Sequence, residues 1–255
     1  MIENLLGALG QLDWLVLLYL IGAGFIAALM HSTSGVGGGF LLALMIAPVV
    51  GVKATIPVVA IAQSISHIGR VWAFRKTIDR GIFIAVSITA VPASMASAAI
   101  YSHLPERGVA GLLGAVLLAS VPARRILARR NYRTTRTGFS LIGVPFGLLV
   151  GATVGSGFLL IPFFLGAGIV GQWFVGTLAA IALSLNLARI VVFGVFDIFT
   201  PELVVAAILI GLCTLPATYL GRGLLRRIPA HAHEVFLEVL VMAGGVLFLW
   251  HAIAG

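Results

Sequence analysis

Two short stretches decide how this chain folds: Gly35-Val36-Gly37-Gly38-Gly39-Phe40-Leu41-Leu42 and Gly155-Ser156-Gly157-Phe158-Leu159-Leu160. Each interrupts an apolar region near its middle. The first region runs over 13–50; the second runs over 139–169, where Gly151 adds another glycine to the break. Glycine loses more backbone freedom in a helix than any other residue, so a run of it predicts an interruption. The apolar stretch after each break is about 11–13 residues long, too short to cross a bilayer at 1.5 Å per residue. Both regions read as helical hairpins or broken helices that enter a membrane and turn back within it. The first arm of 13–50 is also long enough to be a full span.

Outward from these breaks lie six apolar stretches of roughly spanning length, 54–72, 82–100, 108–123, 172–195, 202–221 and 234–252. Of the 255 residues, 60% are hydrophobic and 9% charged, whereas soluble domains run near a quarter charged. Too few charges remain to solvate a globular surface. The net charge of +8 would suggest a nucleic-acid partner if it lay on a soluble face. It does not: Lys53, Arg107 and Arg189 apart, every Lys and Arg belongs to one of three groups, 70–80, 124–136 and 222–227, in or beside short gaps between spans. That is the pattern of a positive-inside bias, and no nucleic-acid partner is expected. The lone Cys213 excludes an intramolecular disulfide and a multi-cysteine metal site. Glu3 and Asp13 stand where a signal peptide would be basic, so no cleavable leader is expected.

The chain repeats itself. Ala60-Ile61-Ala62-Gln63-Ser64-Ile65-Ser66 matches Ala180-Ile181-Ala182-Leu183-Ser184-Leu185-Asn186, Val91-Pro92-Ala93-Ser94 matches Leu215-Pro216-Ala217-Thr218, and Leu104-Pro105 matches Ile228-Pro229. With the glycine runs these matches keep one order, at offsets drifting from 118 to 120 to 124. We therefore expect an all-α integral membrane protein of two repeats, 1–123 and 139–255, joined by a basic linker at 124–138. Each repeat holds one hairpin and three spans. An odd number of crossings per repeat forces the second to lie inverted. Placing the linker in the cytoplasm brings all three basic groups to that side and both termini outside, in the inner (cytoplasmic) membrane.

Inverted repeats with breaks at matching positions point to a secondary transporter's binding site. Irregular backbone is tolerated at membrane depth only where protein buries it or water lines it. A helix starting after a break aims free N–H groups and a positive dipole end at it. The candidate site for a small anion is Gly37, Gly38 and Gly39 with His31 and Ser34 at the first break, and Thr153, Gly155, Ser156 and Gly157 at the second. Glycines that merely let helices pack closely are the competing reading, as are hydroxyls bonding back to their own helix. A second polar group lies on the following spans: Gln63, Ser64 and His67 in one half, Ser184, Asn186 and Arg189 in the other. A charge deep in a span is costly unless paired or hydrated. Arg189 either binds an anion, snorkels outward or pairs with Asp197. His67 stands between an interfacial and a functional role, and His31 can bind substrate or titrate near neutral pH.

At these residues the chain resembles the sulfite exporter family TauE/SafE, marked by a G-x-G-G-G hairpin in each of two repeats followed by a polar A-x-x-T/S segment. Here those are Gly35–Gly39 with Ala60–Ser64, and Gly155–Gly157 with Ala180–Ser184. The resemblance covers about 14–252. Leu44 stands where a proline often follows the first run, Pro162 keeps it in the second, and Ser156 replaces a glycine. The resemblance implies export of sulfite or small organosulfonates such as sulfoacetate, without a bound cofactor. Other classes fit less well. A serine hydrolase would want Gly-x-Ser-Gly with a facing histidine, and the residues before Ser156 break that spacing. A cation permease would need carboxylates, thiolates or several imidazoles in the spans. An anion channel using the same helix ends, or a carrier of another small anion such as a carboxylate, stays open. So do a coupling proton or sodium ion and the oligomeric state.

Overall fold

The computed structural model describes residues 13–34, 38–128, 134–154, 156–224 and 230–254. Gly35, Gly37, Gly155, linker residues 129–133, Arg226, Arg227 and the segment 1–12 expected outside lie beyond the described residues. Within them the chain is helical throughout: α1 Trp14–Ser34, α2 Gly38–Val50, α3 Val52–Ala73, α4 Arg80–His103, α5 Glu106–Ala128, α6 Arg136–Ala152, α7 Ile161–Gly166, α8 Gly171–Val195, α9 Pro201–Leu224 and α10 Ala230–Ala254. Short 3₁₀ turns at Arg75–Thr77 and Ser156–Leu160 complete it.

The chain is an all-α integral membrane protein. Among the described residues Arg80–His103, Glu106–Ala123 and Gly171–Val195 are long and apolar enough to cross a bilayer unaided, and they contain three of the expected spans. Isoleucines such as Ile84, Ile88 and Ile253 face outward, as lipid-facing residues should. The expected span 54–72 lies in α3, which carries Gln63, Ser64, Ser66, His67 and Arg70 and is outside that apolar set. The reason is position. Ile56, Val58, Val59, Ala60 and Ala62 of α3 are all fully shielded, so this helix meets protein rather than lipid over much of its length.

Helix α3 packs against α8 at the centre. Helix α4 packs on both α6 and α8, α9 packs on both α1 and α3, and α5 pairs with α10. Exchanging α1 with α6, α3 with α8, α4 with α9 and α5 with α10 turns these pairings into one another. Other details keep the same correspondence. Gly51 at φ 84° and Gly171 at φ 60° stand at the heads of α3 and α8, left-handed turns that glycine adopts without strain. Pro92 and Pro216 lie inside α4 and α9.

The α4–α6 contact is the closest. A Cβ at Gly147 would lie 2.2 Å from the Ala90 carbonyl oxygen, and one at Gly151 2.2 Å from that of Ser94. Only glycine lets these backbones approach, the packing use of small residues. Thr89 Oγ1 donates to the Ser140 carbonyl at 2.7 Å and Ser97 Oγ to that of Leu148 at 2.6 Å. Gly151, expected to help break the helix, is a packing residue inside α6; the backbone leaves the helix at Thr153 instead. Because α6 runs beside α4 and stops alongside Ser94–Ser97, it ends short of α4's end at His103. Its 17 residues rise about 25 Å, less than a hydrocarbon core of about 30 Å. At 21 residues α1 has the length of a full crossing, the alternative kept open for the first arm.

Candidate functional site

The last carbonyls of a helix have no partner within it. At the end of α6 those partners come from α8. Arg189 Nη1 donates to the Val150 carbonyl at 2.9 Å and to the Thr153 carbonyl at 2.8 Å, while Nη2 donates to Asn186 Oδ1 at 2.6 Å. A guanidinium at a helix C-terminus also meets the negative end of the dipole. Arg189 is only 2% exposed. It turns into the protein, and among the described residues it forms no ion pair with Asp197; neither the snorkelling nor the Asp197 pairing applies.

Two donors remain. Arg189 Nε and Asn186 Nδ2 are buried and meet no hydrogen-bond partner among the described residues. A buried N–H without an acceptor costs about 1–3 kcal/mol, more when charged. Two such donors, one of them cationic and linked to the other through Asn186 Oδ1, make a centre suited chemically to an oxyanion and hostile to a cation.

Other elements converge on this centre. Helices α3 and α4, which carry His67 and Tyr101, both pack on α8. His67 is buried. Tyr101 is fully buried and donates its hydroxyl to the Lys53 carbonyl at 3.0 Å. Its ring lies 5.6 Å from that of Phe193, one turn beyond Arg189, and Phe193 lies 6.5 Å from Phe199. His103 packs edge-on to Phe196 at 4.9 Å just beyond. From the other side, Gly38 and Gly39 are buried at the start of α2. Phe40–Ala43 share one apolar cluster with Ala152, Val154, Val192 and Phe193. The flanks of both breaks therefore border a common core.

The remaining candidates divide. Thr153 is buried, with its hydroxyl on the Leu149 carbonyl and its own carbonyl on Arg189. Ser64 donates back to the Ala60 carbonyl at 2.8 Å. Ser184 does likewise to Ile181 at 2.8 Å and stands 3.4 Å from Ser87 Oγ. Gln63 and Gly157 are half-buried. His31 and Ser34 lie in the last turn of α1, and Ser156 opens the second 3₁₀ turn; their side chains are not among those described, and Gly37 and Gly155 lie outside the described residues. The returning arms differ from expectation in one respect. The first is a 13-residue α-helix, but the second begins as a 3₁₀ turn and continues as the six-residue α7, so the two breaks do not present equivalent helix starts. No motif or spacing in the sequence singles out Tyr101, Phe193 or the α6 carbonyls. The i, i+3 spacing of Asn186 and Arg189, which puts both on one helix face, was the available signal for their pairing.

The fold defines a class, the polytopic helical membrane proteins. The family model for the sulfite exporter TauE/SafE matches residues 20–248, and the chain belongs to that family: it is a membrane transporter of sulfite or related small anions. No curated protein and no solved structure matches it significantly.

Proposed function

We propose that the protein exports sulfite or a small organosulfonate across the cytoplasmic membrane by alternating access at a site between the two breaks. The observation that carries this reading is the buried Arg189–Asn186 pair with its two donors that meet no partner among the described residues. Depth supports it. The Asp79 amide donates to Thr177 Oγ1 at 2.8 Å where the α3–α4 loop meets α8. Arg189 lies twelve residues farther along α8, about 18 Å of rise, and six residues, about 9 Å, before that helix ends at Val195, so it is inside the span and not at either edge.

The repeats are read as 1–123 and 139–255, inverted about the linker 124–138, and the interchangeable helix pairings support that. Orientation follows the basic groups, which put the linker and the α3–α4 loop in the cytoplasm and the termini outside. Substrate oxygens then accept from Arg189 Nε and Asn186 Nδ2, with the start of α2 adding its dipole. Gly37, Gly155, Ser156, His31 and Ser34 complete the breaks in this reading. The Tyr101–Phe193–Phe199 group closes the outer way, and a shift between halves of the bundle opens it.

Purified protein in liposomes tests this. Saturable, gradient-dependent sulfite flux is expected, with sulfonates competing better than sulfate or carboxylates. Imposed proton and sodium gradients identify any coupling ion. Flux near diffusion rates would point to a pore, and preferential carboxylate flux would overturn the substrate assignment.

A further inference from the structure

A second place on the molecule gathers cations, away from the buried centre. Trp72 in the last turn of α3 is 70% exposed and Trp173 in the first turn of α8 is 50% exposed. The loop between α3 and α4 ties these turns together: Thr77 Oγ1 donates to the Gln172 carbonyl at 3.2 Å, and Phe74 packs on Gly176. The Arg75 guanidinium lies 4.5 Å above the Trp72 ring, and its Nη1 donates to the Trp72 carbonyl at 2.9 Å. Arg75, Lys76 and Arg80 are exposed. Among the described residues none of the three pairs with a carboxylate. The nearby Asp79 is occupied as the N-cap of α4, accepting from the Ile82 amide at 2.9 Å.

The surface leading to this corner is apolar. Ile68 stands four residues before Trp72 on α3, and Ile84 and Ile88 follow Arg80 at four-residue steps on α4, so each set shares a helix face. All three isoleucines are exposed. Each face thus runs from acyl-facing aliphatic side chains to an interfacial indole or a cation. The tryptophans at the opposite end, Trp14 and Trp250, are equally exposed, but their neighbours are Asp13 and His251 rather than a cationic group.

We propose that Arg75, Lys76 and Arg80, framed by Trp72 and Trp173, bind the headgroup of an anionic phospholipid whose acyl chains lie along the Ile68 and Ile84–Ile88 faces. Indoles favour the headgroup level, and cations there attract anionic lipid. Stacking on Trp72 holds the Arg75 plane in place, which makes this a site rather than a diffuse field.

The test uses the full chain in nanodiscs of phosphatidylcholine alone or with one third phosphatidylglycerol, reading the thermal midpoint and retained lipid by native mass spectrometry. Phosphatidylglycerol is expected to raise the midpoint of the wild type by several degrees and to remain bound. In R75Q/K76Q/R80Q both effects should vanish while the midpoint in pure phosphatidylcholine holds. In R129Q/R130Q/R133Q, which removes the same charge from the linker, both should persist. An equal gain in the first variant, an equal loss in the second, or the same gain from soluble glycerol phosphate in detergent would overturn the proposal. Should the triple variant not insert, Arg75→Lys is read in the same assay. It keeps the charge but loses the planar fork, and retained lipid should fall at least threefold; unchanged retention would overturn the proposal.

Discussion

The two breaks are built from matching sequence and carry different electrostatics. At the first, a 13-residue helix begins at Gly38 and brings a full set of helix-start amides to the break. At the second, the returning arm opens in a 3₁₀ turn and forms only six residues of α-helix, which aligns fewer peptide dipoles. There a whole charge stands in their place: Arg189, fixed by the Val150 and Thr153 carbonyls. The 120-residue offset that aligns Ser64 with Ser184 puts Gly69 where the second half has Arg189, and Ser66 where it has Asn186. The first break thus presents aligned dipoles and the second a guanidinium. Helices that pair in corresponding ways on the two sides of the linker need not carry the same charge.

The sharpest way to break this contrast is to remove that charge. Arg189→Gln should lower sulfite flux in proteoliposomes by at least about 100-fold, near the 2.7 kcal/mol that loss of one charge-stabilising donor typically costs. It should also loosen the end of α6, where the Thr153 carbonyl loses its donor and the Val150 carbonyl keeps only the Thr153 amide at 3.4 Å. Arg189→Lys keeps the charge without the planar fork and should recover only part of the flux. Gly38→Pro, at the first break, removes one helix-start N–H at a position where a helix tolerates proline, and should cost roughly tenfold, because a helix end carries only about half a unit charge. Equal losses at both breaks would erase the asymmetry.

A smaller effect separates the two peripheral pairings. Gly147→Ala on α6 drives a Cβ to 2.2 Å from the Ala90 carbonyl oxygen, and backbone cannot yield cheaply. Gly24→Ala on α1 meets chiefly Ile210 Cγ2 at 2.7 Å, a side-chain methyl that moves with χ1, with the nearest backbone atom at 3.3 Å. Overpacking of this kind costs about 1–3 kcal/mol. Gly147→Ala should fall at the upper end and Gly24→Ala at the lower, read as thermal midpoints in detergent. Gly194→Ala, with nothing within 4 Å, is the control.

Much of the scaffold was legible because its causes are local. Glycine runs interrupt helices wherever they stand, and arginines gather in gaps whatever the tertiary contacts. Gly151 shows the limit: glycine serves both a break and a close crossing, and only the position of α4 decides between them. The span 54–72 reads as an ordinary crossing with polar residues, yet α3 is shielded by neighbours that no local pattern names. Arg189 is the clearest case. Its polar surroundings were visible in the sequence, but its fixed partners lie 36 and 39 residues away, at the C-terminal end of another helix. The candidate site emerged as residue types before it emerged as an arrangement.

The smallest expected effect probes the matched serines. Ser64 and Ser184 sit at equivalent places and were both candidates for substrate contact, but each hydroxyl donates to a carbonyl in its own helix, Ala60 and Ile181. A hydroxyl so occupied has its proton committed and offers an incoming anion no donor unless it first gives up that bond. Ser64→Ala should therefore leave sulfite flux within about twofold and shift stability by no more than about 0.5 kcal/mol, since such back-bonds add little to a helix. Ser184→Ala should do slightly more, because Ser184 also faces Ser87 across the α4–α8 contact. A tenfold loss from Ser64→Ala alone would mean that the first half supplies a side-chain donor to the substrate, and the division between dipoles on one side and guanidinium on the other would have to be redrawn.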